Sequence, residues 1–130
     1  MTLQELTHHF RLRERLDRDK ELLSSLEAAV APGGQVLTGM PHASGVRDKV
    51  GDLAVEIADM KERIRFLESE IAKEEQQVED FIRNIPDEQL RVVFRLRFLH
   101  GLTWGEVAGV VGGRNTEEGV KTSCYRYLSS

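Results

Sequence analysis

The sequence predicts an all-α protein: a long antiparallel helical hairpin of coiled-coil type, followed by a C-terminal helix-turn-helix domain. Three observations carry that expectation. Apolar residues recur at alternating steps of three and four over two long stretches, which is the period of a helix seam and not of a strand. A Gly- and Pro-rich segment separates those stretches. Beyond residue 85, short segments with helix-start chemistry are divided by glycines. The division that follows is an arm over 1–84, with a linker at 31–45, and a helix-turn-helix domain over 85–130.

In chain order, Thr2 and Glu5 have the spacing of a capping box, so a first helix begins near Leu3. Leu12, Leu16, Leu23, Leu26 and Val30 then form an apolar stripe in which Asp19 is the one polar position. A lone polar residue in such a seam is read as solvated or as setting register. From Ala31 to Gly45 the chain carries Gly33, Gly34, Gly39 and Gly45 with Pro32 and Pro41, a density of breakers that no helix survives. Val36, Leu37 and Met40 are expected to fold part of this linker back on the helices.

Ser44 is placed to cap a second long helix. Its seam runs through Val46, Val50, Leu53, Ile57, Met60 and Ile64, then Leu67, Ile71, Glu74, Val78, Phe81 and Ile85. Only Glu74 is polar. At about 1.5 Å per residue this helix spans roughly 60 Å, against roughly 42 Å for the first. Val55, Phe66 and Ile82 lie off the seam and are expected to face a further partner. Two helices leave much apolar surface open, so a homodimer with a four-helix arm is favoured over a monomer.

In the last third, Pro86 stops the preceding helix for want of an N–H, and Asp87 can cap the next. That helix is expected to reach Leu99, with a break at His100 and Gly101. Thr103 and Glu106 form a second capping box, flanked by Leu102 and Val107 at hydrophobic-staple spacing. Gly112 and Gly113 break this helix in turn, and a third runs from about Thr116 to Leu128. Phe94, Leu96 and Trp104 are read as core, Ala108 as the small residue where the last two helices cross, and Cys124 as a buried apolar side chain. Gly119, inside the third helix, costs about 1 kcal/mol relative to alanine. It is read either as permitting close approach to the second helix or as having no role.

Composition excludes several function classes. The net charge is −4, divided unevenly: residues 1–82 hold 11 Lys and Arg against 17 Asp and Glu, whereas residues 83–130 hold 7 against 5. The C-terminal part is therefore weakly basic, and DNA affinity is expected to be modest and salt-sensitive. No apolar run reaches membrane-spanning length and no signal core is legible, so no membrane partner is expected. A single cysteine allows no internal disulfide, which suits a reducing compartment and a cytoplasmic location. His8 and His9 with Glu5 provide too few ligands for a metal site. Glu68, Glu70, Glu74 and Glu75 alternate with Lys61, Arg63, Arg65 and Lys73 as surface ion pairs. There is no phosphate-binding glycine loop and no nucleophile–base set, so neither a cofactor nor enzyme activity is expected.

Within the glycine-divided helices, Arg114 and Asn115 lie in the turn, and Lys121, Thr122, Tyr125 and Arg126 lie on the last helix. Residues at a helix start and one turn later enter a major groove together. Lys121 and Thr122 are placed to reach base edges, and Arg114 and Arg126 to contact phosphates. Glu117 and Glu118 suit the helix N-terminus but repel phosphate.

The run Leu90-Arg91-Val92-Val93-Phe94-Arg95-Leu96-Arg97-Phe98-Leu99-His100-Gly101-Leu102-Thr103-Trp104 resembles the DNA-binding region 4 of bacterial sigma factors. Glu106-Val107-Ala108 and Val120-Lys121-Thr122 stand where that family has its turn-entry and recognition helices. The segment Gly112 to Thr116 is about two residues longer than the family's usual turn. This longer turn, Met40-Pro41-His42 and the closing Tyr125-Arg126-Tyr127-Leu128 are similar to small phage-encoded sigma-like transcriptional regulators. The resemblance runs from roughly Met40 onward and implies a transcriptional regulator whose partners are double-stranded DNA and RNA polymerase. Two other classes fit the same outline. One is a DNA-packaging adaptor like a small terminase subunit, and the other a structural coiled-coil partner without DNA binding.

Overall fold

A computed structural model describes the backbone of residues 1–31 and 43–130, with side chains over 1–31 and 51–130. The all-α expectation holds: among the described residues every regular element is a helix. Helix α1 runs Leu3–Val30, α2 Ala43–Arg83, α3 Glu88–Phe94, α4 Trp104–Val111 and α5 Glu117–Ser129. The fold-back of Val36, Leu37 and Met40 falls outside the described residues, whereas the second long helix already starts at Ala43, so Ser44 lies inside it and does not cap it.

The helix starts follow the local rules. Thr2 Oγ1 accepts from Glu5 N–H at 3.2 Å while Thr2 N–H donates to Glu5 Oε1 at 3.2 Å, closing the first capping box. Asp87 Oδ1 accepts from Leu90 N–H at 3.0 Å and starts α3. In the second box Thr103 N–H donates to Glu106 Oε1 at 2.9 Å and Glu106 N–H donates to Thr103 Oγ1 at 3.1 Å; hydrogen bonding from Thr103, its backbone N–H above all, holds the Glu106 carboxyl below its usual range. Thr116 caps α5 through Gly119 N–H at 3.0 Å. Gly101, at φ 71°, supplies the left-handed residue that ends the segment before α4.

One stretch departs from the expected regular helix up to Leu99. From Arg95 to Leu99 the chain widens into a π-helical turn, with His100 N–H reaching back to Arg95 O at 3.2 Å. The wider turn places Phe98 and Leu99, adjacent in sequence, in the core together.

The chain divides into two compact units, Arg15–Ser69 and Met1–Glu14 with Glu70–Ser130. In the first unit Met60, Ile64 and Leu67 of the α2 seam are buried, as their spacing predicts. Asp19 sits among the seam positions at 8% exposure, and its Oδ2 has no hydrogen-bond partner. It is therefore buried, which removes the solvated reading and leaves register. Lys20 pairs with Glu68 at 3.7 Å and Glu27 with Lys61 at 3.9 Å, so the partner number falls along α2 as it rises along α1. These exposed pairs are each worth about 0–1 kcal/mol. Val55 and Phe66 are 60% and 62% exposed, on the same side of α2.

The second unit has one core. Leu6 and Phe10 of α1, Val78 and Ile82 of α2, and Ile85 meet Val93, Phe94, Phe98, Trp104, Val107, Val120 and Cys124. Ile82, read from its off-seam position as facing another chain, is instead fully buried here. The end of α2 packs on two sides, so its apolar face is wider than a two-helix seam. Phe94 and Tyr127 meet edge-on at 5.8 Å, Phe98 and Trp104 at 6.2 Å, and Trp104 and Tyr125 at 6.2 Å. Such pairs add about 0.5–1.5 kcal/mol beyond area burial.

A closed polar network borders this core. His9 is fully buried. Its Nε2 accepts from Arg13 Nε–H at 3.3 Å, so Nδ1 carries the proton and donates to Glu74 Oε2 at 3.2 Å. Arg13 Nη2 donates to Glu75 Oε1 at 2.9 Å. His8 Nε2 approaches Glu74 Oε1 at 3.8 Å. His9 thus lies one seam step before Leu12 and satisfies Glu74, the polar member of the opposite seam.

Two expected outcomes follow from this packing. Leu6→Ala removes a fully buried side chain and should cost about 2–5 kcal/mol, read by the fluorescence of Trp104, the single tryptophan, during urea unfolding. A loss under about 0.5 kcal/mol would mean that the start of α1 does not close this core. The second outcome concerns pH. Burial lowers the pKa of His9 below its ordinary 6.5, outweighing the bond to Glu74, and Arg13 pushes the same way. The unfolded chain therefore takes up this proton first, and the His9 contribution, complete above the ordinary value, declines as pH falls below it. Urea midpoints measured on either side of the ordinary value should fall more for the native chain than for His9→Gln; equal falls would remove His9 as the source.

Candidate nucleic-acid interface

The residues expected to contact DNA lie on α5 and the turn before it. Val120 and Cys124 turn into the core and Tyr127 and Leu128 pack against it, which leaves Glu118, Thr122, Tyr125 and Arg126 exposed on the other side. Arg114 and Asn115 are exposed in the turn. That turn needs both of its glycines, since Gly112 and Gly113 have φ of 70° and 65°. Asn115 is occupied by the turn itself: its Nδ2 donates to Gly112 O at 2.8 Å. Arg114, Thr122 and Arg126 therefore remain available, whereas Asn115 has a structural duty.

Lys121 and Tyr125 face one flank of α5 and not its outermost line. Lys121 is half-buried, with its Nζ 5.7 Å from the Tyr125 ring centroid. Tyr125 in turn stands edge-on to Trp104. Glu117 is directed at the first turn of α4, where a methyl group built on Gly105 would meet its Oε2 at 3.7 Å. Its charge thus serves the N-terminal end of α4. Of the two acidic residues at the start of α5, only Glu118 lies on the outward side.

Gly119 does not approach α4. A Cβ there would come within 3.0 Å of Thr116 Oγ1, the capping hydroxyl. The glycine keeps that cap undisturbed, so the close approach anticipated from the sequence is made to the cap. Ala108 is buried in the same cluster as Val120 and Cys124, consistent with a small residue where α4 and α5 pack. Burial pushes the Cys124 thiol up to about 12, so it is an inert apolar side chain.

The sequence reading did not single out Arg97. Its guanidinium stacks 3.6 Å from the Phe10 ring centroid and 4.5 Å from that of Trp104. Nη1 donates to Leu102 O at 3.1 Å, and Nε is buried without a partner. Burial pulls its pKa down, with Tyr125 and Glu14 acting in the opposite sense. A cation inside the apolar run from Leu96 to Leu99 was the available signal.

The ion pairs are distributed asymmetrically. Among the described residues every salt bridge lies between His8 and Arg83. The cations Arg91, Arg95, Arg97, Arg114, Lys121 and Arg126 have no acidic partner within 4.0 Å among the described residues. No helix among them is long and apolar enough to cross a membrane. No protein family, curated protein or solved structure matches the chain.

Arg97→Lys should destabilise the C-terminal unit by about 1–2 kcal/mol, because an ammonium cannot stack between two rings and also match the guanidinium's fixed donors. Urea unfolding followed at Trp104 reads this directly. A lysine variant as stable as the native chain would show that charge alone suffices.

Proposed function

We propose that the chain is a DNA-binding transcriptional regulator of sigma-region-4 type, similar to small phage-encoded regulators. In this reading α4 and α5 form a helix-turn-helix, and α1 and α2 form a helical hairpin that pairs with a second copy. The observation that carries it is that the lysines and arginines from Arg91 onward all lack an acidic partner among the described residues, whereas every ion pair found there lies between His8 and Arg83. Cations left without acidic partners suit a polyanion, whose counterions they release on binding.

The roles follow from placement. Thr122 is exposed on the outward side of α5 and reaches base edges. Arg126, one turn on, and Arg114, in the turn before the helix, contact phosphates. Exposed Val55 and Phe66 support the dimer, since a second copy would bury them. A dimer presents two copies of α5 and compensates for the weak charge of one. RNA polymerase is the second partner in this reading, through the resemblance to sigma factors alone.

Selection of bound duplexes from a random pool tests the proposal. On the selected site, Thr122→Val should relax preference at one base pair at a cost of about 1–3 kcal/mol. Arg126→Ala should weaken all sequences alike and reduce the salt slope by about one unit. Sedimentation should give a dimer. If both variants stay folded and bind as the native chain does, α5 does not read DNA and a structural partner becomes the better reading. A large ring would favour a DNA-packaging adaptor.

A further inference from the structure

The two flanks of α5 are chemically unlike. On one side, Asp87, Gln89, Asn115 and Ser123 border a shallow depression of about 150 Å³ with no cation in its lining. On the other, the first turns of α1 and the start of α4 enclose an open groove of about 400 Å³. Arg11, Arg97 and Lys121 line it, with Glu14 as its one acid. None of the three cations is within salt-bridge distance of Glu14, or of any other described acid. Trp104, Tyr125 and Phe10 contribute aromatic wall.

Three cations lining one groove with a single acid, and paired with none, leave it net positive, and the rings exclude part of the water that would screen them. The arrangement is favourable when an anion enters. A single phosphodiester suits it, since Arg97 is held by its two rings while Arg11 of α1 and Lys121 of α5 line the same groove. The groove opens beside Tyr125, on the flank of the helix assigned to base edges. A strand backbone bordering a major groove runs along such a flank.

We infer that this groove is a backbone clamp, in which Arg11 of α1 and Lys121 of α5 grip one phosphate of the bound duplex. The clamp rests on the DNA-binding reading and extends it, because it makes the beginning of α1 part of the interface. It gives Lys121 a sequence-independent role. It also gives Glu14 a defined one, as the charge that weakens the clamp.

Salt-dependent binding of the full-length chain to its selected duplex tests this. Arg11→Ala should lower the salt slope by about one unit and weaken all sequences alike, so that affinity lost between about 50 and 200 mM salt shrinks roughly threefold. Glu14→Gln should strengthen binding to every sequence. Lys20→Ala removes the same charge from a cation already paired with Glu68 and should leave the slope unchanged. Unaltered Trp104 fluorescence confirms that each variant is folded. If Arg126→Ala reduces the slope while Arg11→Ala and Glu14→Gln do not change binding, the clamp is wrong and the DNA reading stands. A native chain that binds no duplex overturns both. If ATP binds as tightly as the duplex and is lost with Arg11→Ala, the groove serves a free nucleotide and the clamp is again wrong.

Discussion

The stretch from residue 85 to 130 is too short to enclose a core of its own, and the C-terminal unit is built around that limit. Small domains bury a smaller fraction of their surface and are only marginally stable alone. Here the shortfall is met by Leu6 and Phe10 from the start of α1 and Val78 and Ile82 from the end of α2. Those side chains cover Phe94, Phe98 and Val107, which would otherwise face water. The arm and the short helices are therefore not independent in this unit. The same packing brings Phe10 against Arg97 and so forms one wall of the cationic groove.

Two polar residues are buried in the long seams, and their surroundings differ. His9 has both ring nitrogens occupied, by Arg13 and by Glu74. Asp19 leaves Oδ2 unmatched, and an unmade bond of that kind costs about 1–3 kcal/mol. A satisfied polar pair opposes any slip of α1 along α2, because a shift of one seam step would bury His9 and Glu74 apart. Asp19 opposes slip by penalty, since its Oδ2 gains no bond where it is. Register in the C-terminal unit is thus set by a positive match, and in the other unit by apolar fit with one tolerated defect.

What was legible in the sequence was local. The caps at Thr2, Asp87 and Thr103, the glycine breaks and the burial of Met60, Ile64 and Leu67 all depend on residues a few positions apart. What was not legible depended on distant partners. Ile82 looked like a contact for another chain because nothing local says that α3 and the start of α1 cover it. His9 continued the stripe back from Leu12, but its partner stands on α2. The π turn at Arg95–Leu99 has no residue signature, and it follows from the need to bury Phe98 and Leu99 together. The exposed residues Arg114, Thr122 and Arg126 were legible as candidates, whereas the groove around Arg97 required three elements that only folding brings together.

The shared core also governs the order in which the protein can form. Leu6 is synthesised more than a hundred residues before Val120 and Cys124, yet shares one core with them. Contacts between such distant positions carry a large loop-closure cost and form late. The unit from Arg15 to Ser69 joins residues much closer in sequence and has no such wait. During synthesis, then, the start of α1 must remain unsatisfied, its apolar side chains exposed, until α5 has been made to help enclose it.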